Sequence, residues 1–311
     1  MNIAVTGAFG YSGRYIAQRL IDNGHSVLTL TDSPRRHNPF AGAITVAPFH
    51  FNEPRKLVES LRGIDALINT YWVRFDHSDF SHARAVANSK TLFHAAREAG
   101  VGRIVHISIT NTDIHSTLPY FRGKAELEME LQSLKISHCI LRPTVLFGKE
   151  DILINNIAWA LRHLPIFGLF GSGGYRLQPI YVDDLAAAAA RKATNPSGGN
   201  EVVDAIGPET FTYRQLVETI RRTLGLIRPI VPLPPAVGYW GARLMGSIVS
   251  DVIVTREEIK GLMEDRLYVS SPPLGQTKLT EWIRQHKQTL GKQYTSELAR
   301  RRDRITSYQS N

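Results

Sequence analysis

The chain has 311 residues, of which 43% are hydrophobic and 21% charged, the composition of an ordinary globular protein. Its single cysteine, Cys139, excludes an intramolecular disulfide and suits a reducing compartment. The net charge of +9 suits an anionic ligand, but neither zinc-finger spacing nor a basic stripe interleaved with aromatic residues accompanies it, so we expect no nucleic-acid partner.

The N-terminal segment predicts a site for a pyrophosphate group. An apolar run at residues 3–5 is typical of a buried strand, and Gly7, Gly10 and Gly13 follow it at a spacing of three. An amphipathic helix pattern comes next, so the turn would present backbone N–H groups and the positive end of a helix dipole at one point. Glycine is needed because the turn is tight and a phosphate would approach the backbone.

Strand and helix patterns alternate through the first half of the chain. Short apolar runs predict strands at 3–6, 27–31, 44–47, 66–69, 103–108 and 138–141, and helical periodicity predicts helices at 14–22, 54–61, 82–99 and 120–135. Because parallel strands need crossover helices, we expect an α/β fold with a doubly wound parallel sheet of the Rossmann type. Ligands would then lie at the carboxyl ends of the strands.

The pattern changes after Gly148, and we expect three regions. They are a dinucleotide-binding domain at 1–148, a smaller α/β substrate lobe at 149–298 that interleaves with the first domain around 176–206, and a basic tail at 299–311. Within the lobe we expect helices at 152–163 and 208–225, a strand at 179–182, an extended connector at 229–235 and a helical remainder from 236 to 298.

Two charged groups have structural interpretations. Asp183 and Asp184 are expected to be an N-cap and a first-turn acid rather than a catalytic pair. The tail carries Arg300, Arg301, Arg302 and Arg304 before a polar end, which predicts a solvated or frayed segment.

No membrane or export segment is expected. The longest apolar stretch, residues 236–254, contains Arg243 and Asp251 and is a poor membrane span. The first predicted strand begins almost at the initiator Met, so we expect no secretory signal and a cytoplasmic location. The strand-like surroundings of Cys139 predict a buried, inert thiol.

Tyr120 and Lys124 form a candidate catalytic pair. They are four residues apart at the start of a predicted helix, which places both side chains on one face. A free tyrosine has a pKa of about 10, and a nearby ammonium together with an oxidised nicotinamide ring would lower it. Tyr120 would then pass a proton to or from a substrate oxygen while hydride moves, and Lys124 would also bind the ribose.

Five segments resemble the short-chain dehydrogenase/reductase superfamily, in its extended or atypical branch of the NAD-dependent epimerase/dehydratase type. They are TGAFGYSG, VHISIT, PYFRGKAELE, LRPTVLFG and QPIYVDDLA, in that order. The chain is similar in particular to the group that contains the nucleotide-binding accessory subunit of respiratory complex I and its bacterial relatives. Some relatives are dimers and others monomers, so both states stay open.

The resemblance implies roles for particular residues. Tyr120 and Lys124 would be the catalytic pair. The pyrophosphate segment would include Thr6, Gly7, Phe9, Gly10, Tyr11 and Gly13, and the nicotinamide would lie beside Pro143, Thr144 and Val145.

One departure from the family concerns the catalytic hydroxyl. Ser108 fills the end of the strand, so Ile109 stands where the Ser or Thr is expected. Thr110 is one residue further on and would substitute only if the loop shifts. Without this hydroxyl, a substrate carbonyl loses one donor that orients and polarises it.

A second departure concerns the cofactor. Thr31 stands where the ribose-binding acid is expected, and Asp32 follows it, which favours NAD. Arg35 and Arg36 come next and favour NADP, because a basic loop can bind its 2′-phosphate. We expect NADP, with NAD and two solvated arginines as the alternative.

Weaker candidates complete the predicted site. His50 replaces the family's acid after the third strand, so adenine contacts would come from His50 or from the backbone of Phe51. Tyr71 and Trp72 follow the fourth strand and would pack either on the nucleotide or in the core.

Substrate contacts are expected from Asn155, Asn156 and Arg176, with ordinary surface hydrogen bonding as the alternative. The 11 histidines include no metal-ligand spacing, so no metal is expected.

These observations support two function hypotheses. The first is an NAD(P)-dependent oxidoreductase or epimerase that transfers hydride between the cofactor and a small carbonyl or sugar-like substrate. The second is a nicotinamide-nucleotide-binding scaffold or redox sensor with little or no catalysis, which Ile109 favours. A nucleotide-sensing transcriptional co-regulator has no supporting feature.

Overall fold

The computed structural model describes residues 1–195, 198–303 and 305. The first elements alternate along the chain: β1 (Asn2–Thr6), α1 (Tyr11–Asp22), β2 (Ser26–Leu30), β3 (Ile44–Ala47), α2 (Pro54–Leu61), β4 (Ala66–Asn69), α3 (His82–Glu98), β5 (Arg103–Ile107), α4 (Pro119–Ser133) and β6 (Ser137–Pro143). Shorter strands accompany the later helices: β7 (Leu146–Phe147), α5 (Leu153–His163), β8 (Phe167–Phe170), β9 (Arg176–Leu177), β10 (Ile180–Tyr181), α6 (Val182–Ala193), β11 (Glu201–Ala205), β12 (Phe211–Thr212), α7 (Tyr213–Thr223), β13 (Ile230–Leu233), α8 (Pro235–Val249), α9 (Arg256–Met263), α10 (Leu279–His286) and α11 (Glu297–Arg302).

The chain divides into two compact units. Unit 1 comprises Met1–Pro143 and Val182–Ala205, and unit 2 comprises Thr144–Tyr181 and the described chain from 206 to 303. The first boundary therefore falls at Pro143 rather than 148, and the returning segment begins at Val182 rather than near 176.

Unit 1 is built on a parallel sheet. Among the described residues, seven strands pair in the order β11-β6-β5-β4-β1-β2-β3. The strands β4 and β5 are buried along their whole length, as expected for parallel strands covered on both faces. Helix α3 packs between α2 and α4, and α1 packs on α6. The predicted doubly wound Rossmann-type fold is confirmed.

The strand order reverses between β1 and β4, and their carboxyl ends are joined by side chains. The Thr6 hydroxyl donates to Asn69 Oδ1 at 3.1 Å and accepts from the backbone N–H of Thr70 at 2.7 Å. In a doubly wound sheet, this reversal is where ligands bind. The ends of β1 and β4 thus form a fixed base for a site within unit 1.

The single cysteine lies in β6 of the same sheet. Cys139 is buried, which confirms that prediction, and burial raises the pKa of its thiol to about 12.

Unit 2 has a separate core formed mainly by α5, α7 and α10, in which Ile157, Leu216 and Ile283 are fully or almost fully buried. The helix predicted at 208–225 begins at Tyr213, because Thr212 and Gln215 form a capping box there. The prediction of a helical remainder at 236–298 is wrong in part. Residues 264–278 and 287–296 lie between helices, because hydrogen bonds to distant residues fix the chain there.

The acidic and basic groups also differ from expectation. Asp183 and Asp184 both lie in the first turn of α6, and Asp183 forms a bidentate ion pair with Arg19 of α1. The start of the predicted tail is helical, since Ser296 caps α11. Arg300 donates to the Glu150 carbonyl, so the tail is ordered at that point. Arg304 and residues 306–311 of the predicted tail lie outside the described residues.

None of the helices within the described residues combines the length and the apolar character needed to cross a bilayer.

A buried arginine ties the edge of the unit 1 sheet together. The Arg103 side chain, 2% exposed, donates to the carbonyls of Lys192 and Gly198, both at 2.7 Å, and to Ser137 Oγ at 2.6 Å. It also forms a 3.3 Å ion pair with Glu201 at the start of β11. These contacts link β5 to the start of β6, to the end of α6 and to the chain that leads into β11.

We expect Arg103→Met to lower the free energy of unfolding by about 2–4 kcal/mol, because buried acceptors lose their donors. Arg97→Met removes an exposed arginine of α3 and should change it by less than about 0.5 kcal/mol. Urea unfolding of both variants measures the difference. Equal midpoints would contradict a stabilising role for Arg103.

Candidate active site

The glycine turn joins β1 to α1 through a close backbone approach. Gly7 has a φ of +67°, and its carbonyl accepts from the N–H of Gly10 at 2.8 Å. A Cβ atom at Gly13 would lie only 2.2 Å from the Gly7 carbonyl oxygen. Both positions therefore require glycine: Gly7 for its dihedral angle and Gly13 for space.

The same turn leaves the start of α1 open to an anion. Gly10 is the N-cap and has no side chain to accept a hydrogen bond, and the first turn of α1 contains no acidic residue. The first N–H groups of a helix lack partners within the helix and carry partial positive charge. The pyrophosphate role of this segment stays a prediction, and Phe9 within it is buried and stacks on Phe40.

The loop after β2 holds the residues predicted to select the cofactor. Asp32 and Arg35 are exposed, whereas Arg36 is buried. The hydroxyl of Thr31 accepts from the backbone N–H of Ser33 at 3.0 Å and so shapes this loop. Of the two predicted arginines, only Arg35 is directed to solvent.

Aromatic side chains cluster beyond β3 and β4. Phe51 stacks on Phe49 with centroids 4.6 Å apart, and Tyr71 packs against both rings. The Tyr71 hydroxyl also accepts from Asn88 at 2.9 Å. Core packing therefore accounts for Tyr71 and the Phe51 ring. His50 adopts a φ of +49°, and its ring lies 3.5 Å from the Glu53 carboxylate.

One face of α4 carries three polar side chains at intervals of four residues: Tyr120, Lys124 and Glu128. Lys124 is 2% exposed, and its ammonium donates to the Ile107 carbonyl at 2.7 Å. Burial lowers the pKa of Lys124 to about 7, although the negative charge of Glu128 opposes this effect. Lys124 therefore titrates near neutral pH.

The indole of Trp72 covers Lys124. The ammonium nitrogen lies 4.3 Å from the indole centroid, and the ring of Tyr120 meets the same indole edge-on at 5.5 Å. Gly123 makes this packing possible, because a Cβ atom there would lie 2.9 Å from the indole. Trp72 thus packs beside both members of the predicted catalytic pair.

The Glu128 carboxylate binds the hydroxyl of Ser108, one of the candidate catalytic residues of the sequence. The Ser108 hydroxyl donates to Glu128 Oε1 at 2.5 Å, and Thr112 donates to Oε2 at 3.2 Å. Arg142 of β6 forms a bidentate ion pair with the same carboxylate, at 3.1 and 2.5 Å. Since its proton is directed at Glu128, Ser108 in this arrangement offers a substrate only an acceptor.

Hydrogen bonds with backbone atoms hold the segment after Ser108 and the segment after Pro143. Ile109 and Thr110 are both buried, and the N–H of Thr110 donates to the Pro143 carbonyl at 3.0 Å. In unit 2, the Thr144 hydroxyl donates to the Gln178 carbonyl, and the Val145 carbonyl accepts from Ile180.

The predicted substrate residues are engaged within unit 2. Asn155 donates to Gln293 O and Thr295 Oγ1, both at 2.9 Å, and Asn156 exchanges two hydrogen bonds with the backbone of Thr295. The guanidinium of Arg176 pairs with Asp265 at 2.8 Å and stacks over Tyr268. These contacts agree with the alternative of structural hydrogen bonding, and the substrate role of the three residues stays a prediction.

Two contributors to the site were not recognised in the sequence. Glu128 continues the four-residue spacing of Tyr120 and Lys124, which is the signal that could have identified it. The cation–π contact between Trp72 and Lys124 joins distant parts of the chain and has no local signal.

Comparison with known families matches residues 3–205 to the NAD-dependent epimerase/dehydratase family. The protein belongs to this family. The matched residues contain the glycine turn and the pair Tyr120 and Lys124. The protein is accordingly an NAD(P)-binding member of a family of epimerases and reductases, and the resemblance drawn from the sequence motifs is confirmed.

Individual relatives of this epimerase/dehydratase member have different roles. It is 26% identical over 264 residues to the mitochondrial 40 kDa subunit of NADH-ubiquinone oxidoreductase from Neurospora crassa, covering 81% of this chain and 69% of that one. It is 24% identical over 281 residues to 2-alkyl-3-oxoalkanoate reductase from Stenotrophomonas maltophilia, covering 80% and 82%. The cytoplasmic location stays a prediction, since the first of these relatives is mitochondrial.

A solved structure shares the fold. Triphenylmethane reductase from Citrobacter sp., complexed with NADP(H), superposes with a TM-score of 0.74 at 18% identity, covering 92% of this chain and 99% of that one.

The Lys124 environment predicts that dinucleotide binding depends on pH. Below pH 7 the amine is charged and can donate to ribose as an ammonium; as pH rises through about 7 it loses that charge. We expect affinity for NADPH to be constant below pH 7 and to fall above it, by up to about tenfold per pH unit.

Fluorescence titrations from pH 6 to 9 measure this dependence. Lys124→Met should bind weakly with a flat profile, and Trp72→Ala should move the midpoint to higher pH, because less burial raises the pKa of the amine. An unchanged pH profile in Lys124→Met would contradict the assignment.

Proposed function

We propose that the protein is an NAD(P)-dependent oxidoreductase or epimerase that transfers hydride between its cofactor and a small carbonyl or sugar-like substrate. The observation that carries the proposal is the placement of Tyr120 and Lys124 on one face of α4, with the Lys124 ammonium bonded to the carbonyl that ends β5. That strand is part of the sheet whose reversal point carries the glycine turn.

The residues of unit 1 fit a dinucleotide. The close approach at Gly7 and Gly13 holds the turn against the start of α1, where the pyrophosphate would bind. An ammonium has three N–H donors, and Ile107 takes one from Lys124, so another can bind the ribose. The bound nicotinamide supplies or accepts the hydride.

Tyr120 would move the proton that accompanies the hydride. A charged Lys124 nearby favours the phenolate form of Tyr120, and the Trp72 indole holds the Tyr120 ring by an edge-on contact. With Ile109 in the hydroxyl position and Ser108 donating to Glu128, Tyr120 is the group that exchanges a proton with the substrate oxygen in this proposal: its phenolate accepts the proton during oxidation and its hydroxyl donates it during reduction. Unit 2 would be the substrate lobe, and the protein a cytoplasmic monomer or homodimer.

Replacing Tyr120 by Phe tests the catalytic proposal. We expect Tyr120→Phe to lower turnover of a carbonyl substrate by about 100- to 10,000-fold, because general acid catalysis is lost. Its affinity for NADPH should stay within a factor of about two, since the ring and its packing remain. Oxidation of NADPH at 340 nm, screened over carbonyl and sugar-nucleotide substrates, gives the rates.

Two control variants show how turnover responds when nucleotide binding is lost and when it is kept. Gly13→Ala places a Cβ atom against Gly7 and should abolish nucleotide binding, whereas Gly241→Ala places one in open space and should have no effect. Turnover that survives in Tyr120→Phe would contradict the assigned role.

We also propose that NADP is preferred over NAD, through Arg35. Arg35 is exposed on the loop after β2, where it can pair with the 2′-phosphate. Asp32 in the same loop favours NAD, and the arginine outweighs it in this proposal.

Arg35→Ala should weaken NADPH binding by roughly ten- to a hundredfold, the range of a charge-assisted hydrogen bond, and leave NADH binding unchanged. Arg62→Ala removes an exposed arginine at the end of α2 and serves as the control. Equal losses for both nucleotides in Arg35→Ala, or an NADH preference in the unaltered protein, would overturn the NADP assignment.

A second candidate function is a nucleotide-holding subunit that does little chemistry. The commitment of the Ser108 hydroxyl to Glu128 favours it, because the site then lacks a substrate-directed donor at that position. The similarity to a respiratory complex subunit agrees with it. Saturable NADPH binding with no Tyr120-dependent turnover of any screened substrate would select this candidate.

A further inference from the structure

Helix α8 of unit 2 carries an uninterrupted apolar stripe. Val237, Trp240, Leu244 and Ile248 recur at intervals of three or four residues, which places them on one face. Trp240 is 58% exposed, Leu244 69% and Ile248 70%. Scattered exposed hydrophobic residues are normal, but an aligned set on one helix marks a contact surface.

The exposed apolar surface extends before the helix. Ile227 is 93% exposed, and Val231 of β13 is exposed as well. Half of the large hydrophobic side chains that are exposed in the described part of the chain lie between Ile227 and Ile248. We call residues 227–248 the apolar segment.

The opposite side of α8 is fixed against unit 2 by glycines. A Cβ atom at Gly238 would lie 2.7 Å from the Phe170 ring of β8, and one at Gly246 would lie 2.6 Å from the Asp251 carbonyl oxygen. These approaches set the rotation of the helix about its axis. The stripe faces outward because the packed side holds the small residues.

The charged residues within the apolar segment have one sign. From residue 225 to 250 the charged residues are Arg228 and Arg243, with no Asp or Glu. The Arg243 guanidinium lies 5.6 Å from the Trp240 ring. Long basic side chains in such positions can extend to anionic groups while their stems cover apolar surface.

A second copy of the chain fits this face poorly. Two α8 helices paired about a twofold axis would cross near residue 242, the middle of the helix. The two Arg243 side chains would then meet with like charge. A planar anionic surface has no such conflict, and the net charge of +9 attracts the whole protein to it.

We propose that α8 binds the surface of an anionic lipid bilayer. The helix lies in the plane of the interface, with Leu244 and Ile248 among the upper acyl chains. Arg243 pairs with lipid phosphates, and the Trp240 indole occupies the headgroup level, where tryptophan is enriched. This surface is independent of the proposed nucleotide chemistry in unit 1.

Flotation of the full-length protein with vesicles tests the proposal. We use phosphatidylcholine vesicles with and without phosphatidylglycerol, at low and high salt. We expect binding to the anionic vesicles, weakened by salt, and little binding to pure phosphatidylcholine. Tryptophan emission should shift to shorter wavelength on binding, and Trp240→Phe should remove that shift while retaining binding.

Two variants distinguish insertion of α8 into the bilayer from electrostatic attraction of the whole basic protein to anionic vesicles. Leu244→Ser combined with Ile248→Ser should weaken binding by about tenfold or more, because the apolar area that enters the bilayer is lost. The matched control is Ile166→Ser, which removes an equally apolar, 54% exposed side chain outside the apolar segment. NADPH affinity and thermal unfolding should be unchanged in all of them.

Three outcomes would overturn the proposal. The first is no association with anionic vesicles at low salt. The second is equal binding by the unaltered protein and the double variant, which would indicate attraction through other basic residues. The third is concentration-dependent self-association or capture of a soluble protein that the double variant abolishes, without vesicle binding. That result would assign the stripe to a protein contact.

Discussion

The approach of Gly13 to the Gly7 carbonyl is the constraint on which the site in unit 1 depends. It brings the start of α1 against the end of β1 more closely than any side chain would permit. The Gly7 N–H then reaches the Leu30 carbonyl, which ties the turn to β2. Thr6, held to Asn69, fixes the neighbouring end of β4. The two glycines and the Thr6–Asn69 hydrogen bond together set the relative positions of three strand ends and one helix dipole.

Helix α4 carries two buried charges whose environments differ sharply. Lys124 lies under an indole with one backbone acceptor, and its pKa falls to about 7. One turn further on, Glu128 accepts four hydrogen bonds, two of them from Arg142, so its charge is compensated. Glu128 therefore serves as a support for Ser108, whereas the lowered pKa of Lys124 makes its charge depend on pH near neutrality.

Local patterns were sufficient to predict the first half of the chain. The strands at residues 44–47 and 66–69 and the helix at 54–61 match their predicted bounds, because burial and helical periodicity are properties of neighbouring residues. The glycine turn and the spacing of Tyr120 and Lys124 were visible for the same reason. Unit 2 was harder, since contacts between distant residues set its loops: Asp251, for example, accepts hydrogen bonds from residues 294, 297 and 298.

The site differs from its prediction where side chains meet across elements. The sequence could place Arg36 in a basic loop but could not show that it is buried while Arg35 is exposed. Likewise, Asn155 and Asn156 follow a helix pattern, but their amides bond to a segment more than a hundred residues away. Such pairings depend on the tertiary fold, which periodicity does not encode.

The titration of Lys124 has a consequence for the redox state of a bound nucleotide. Oxidised nicotinamide carries one more positive charge than the reduced ring, so a cation in the same site favours the reduced form. When the amine is charged, below pH 7, the proposed complex would retain NADPH more strongly than NADP⁺, and the difference narrows as the amine becomes neutral. The midpoint potential of the bound NADP⁺/NADPH couple would thus depend on the protonation of Lys124. It would be higher when the amine is charged, at low pH, than when the amine is neutral.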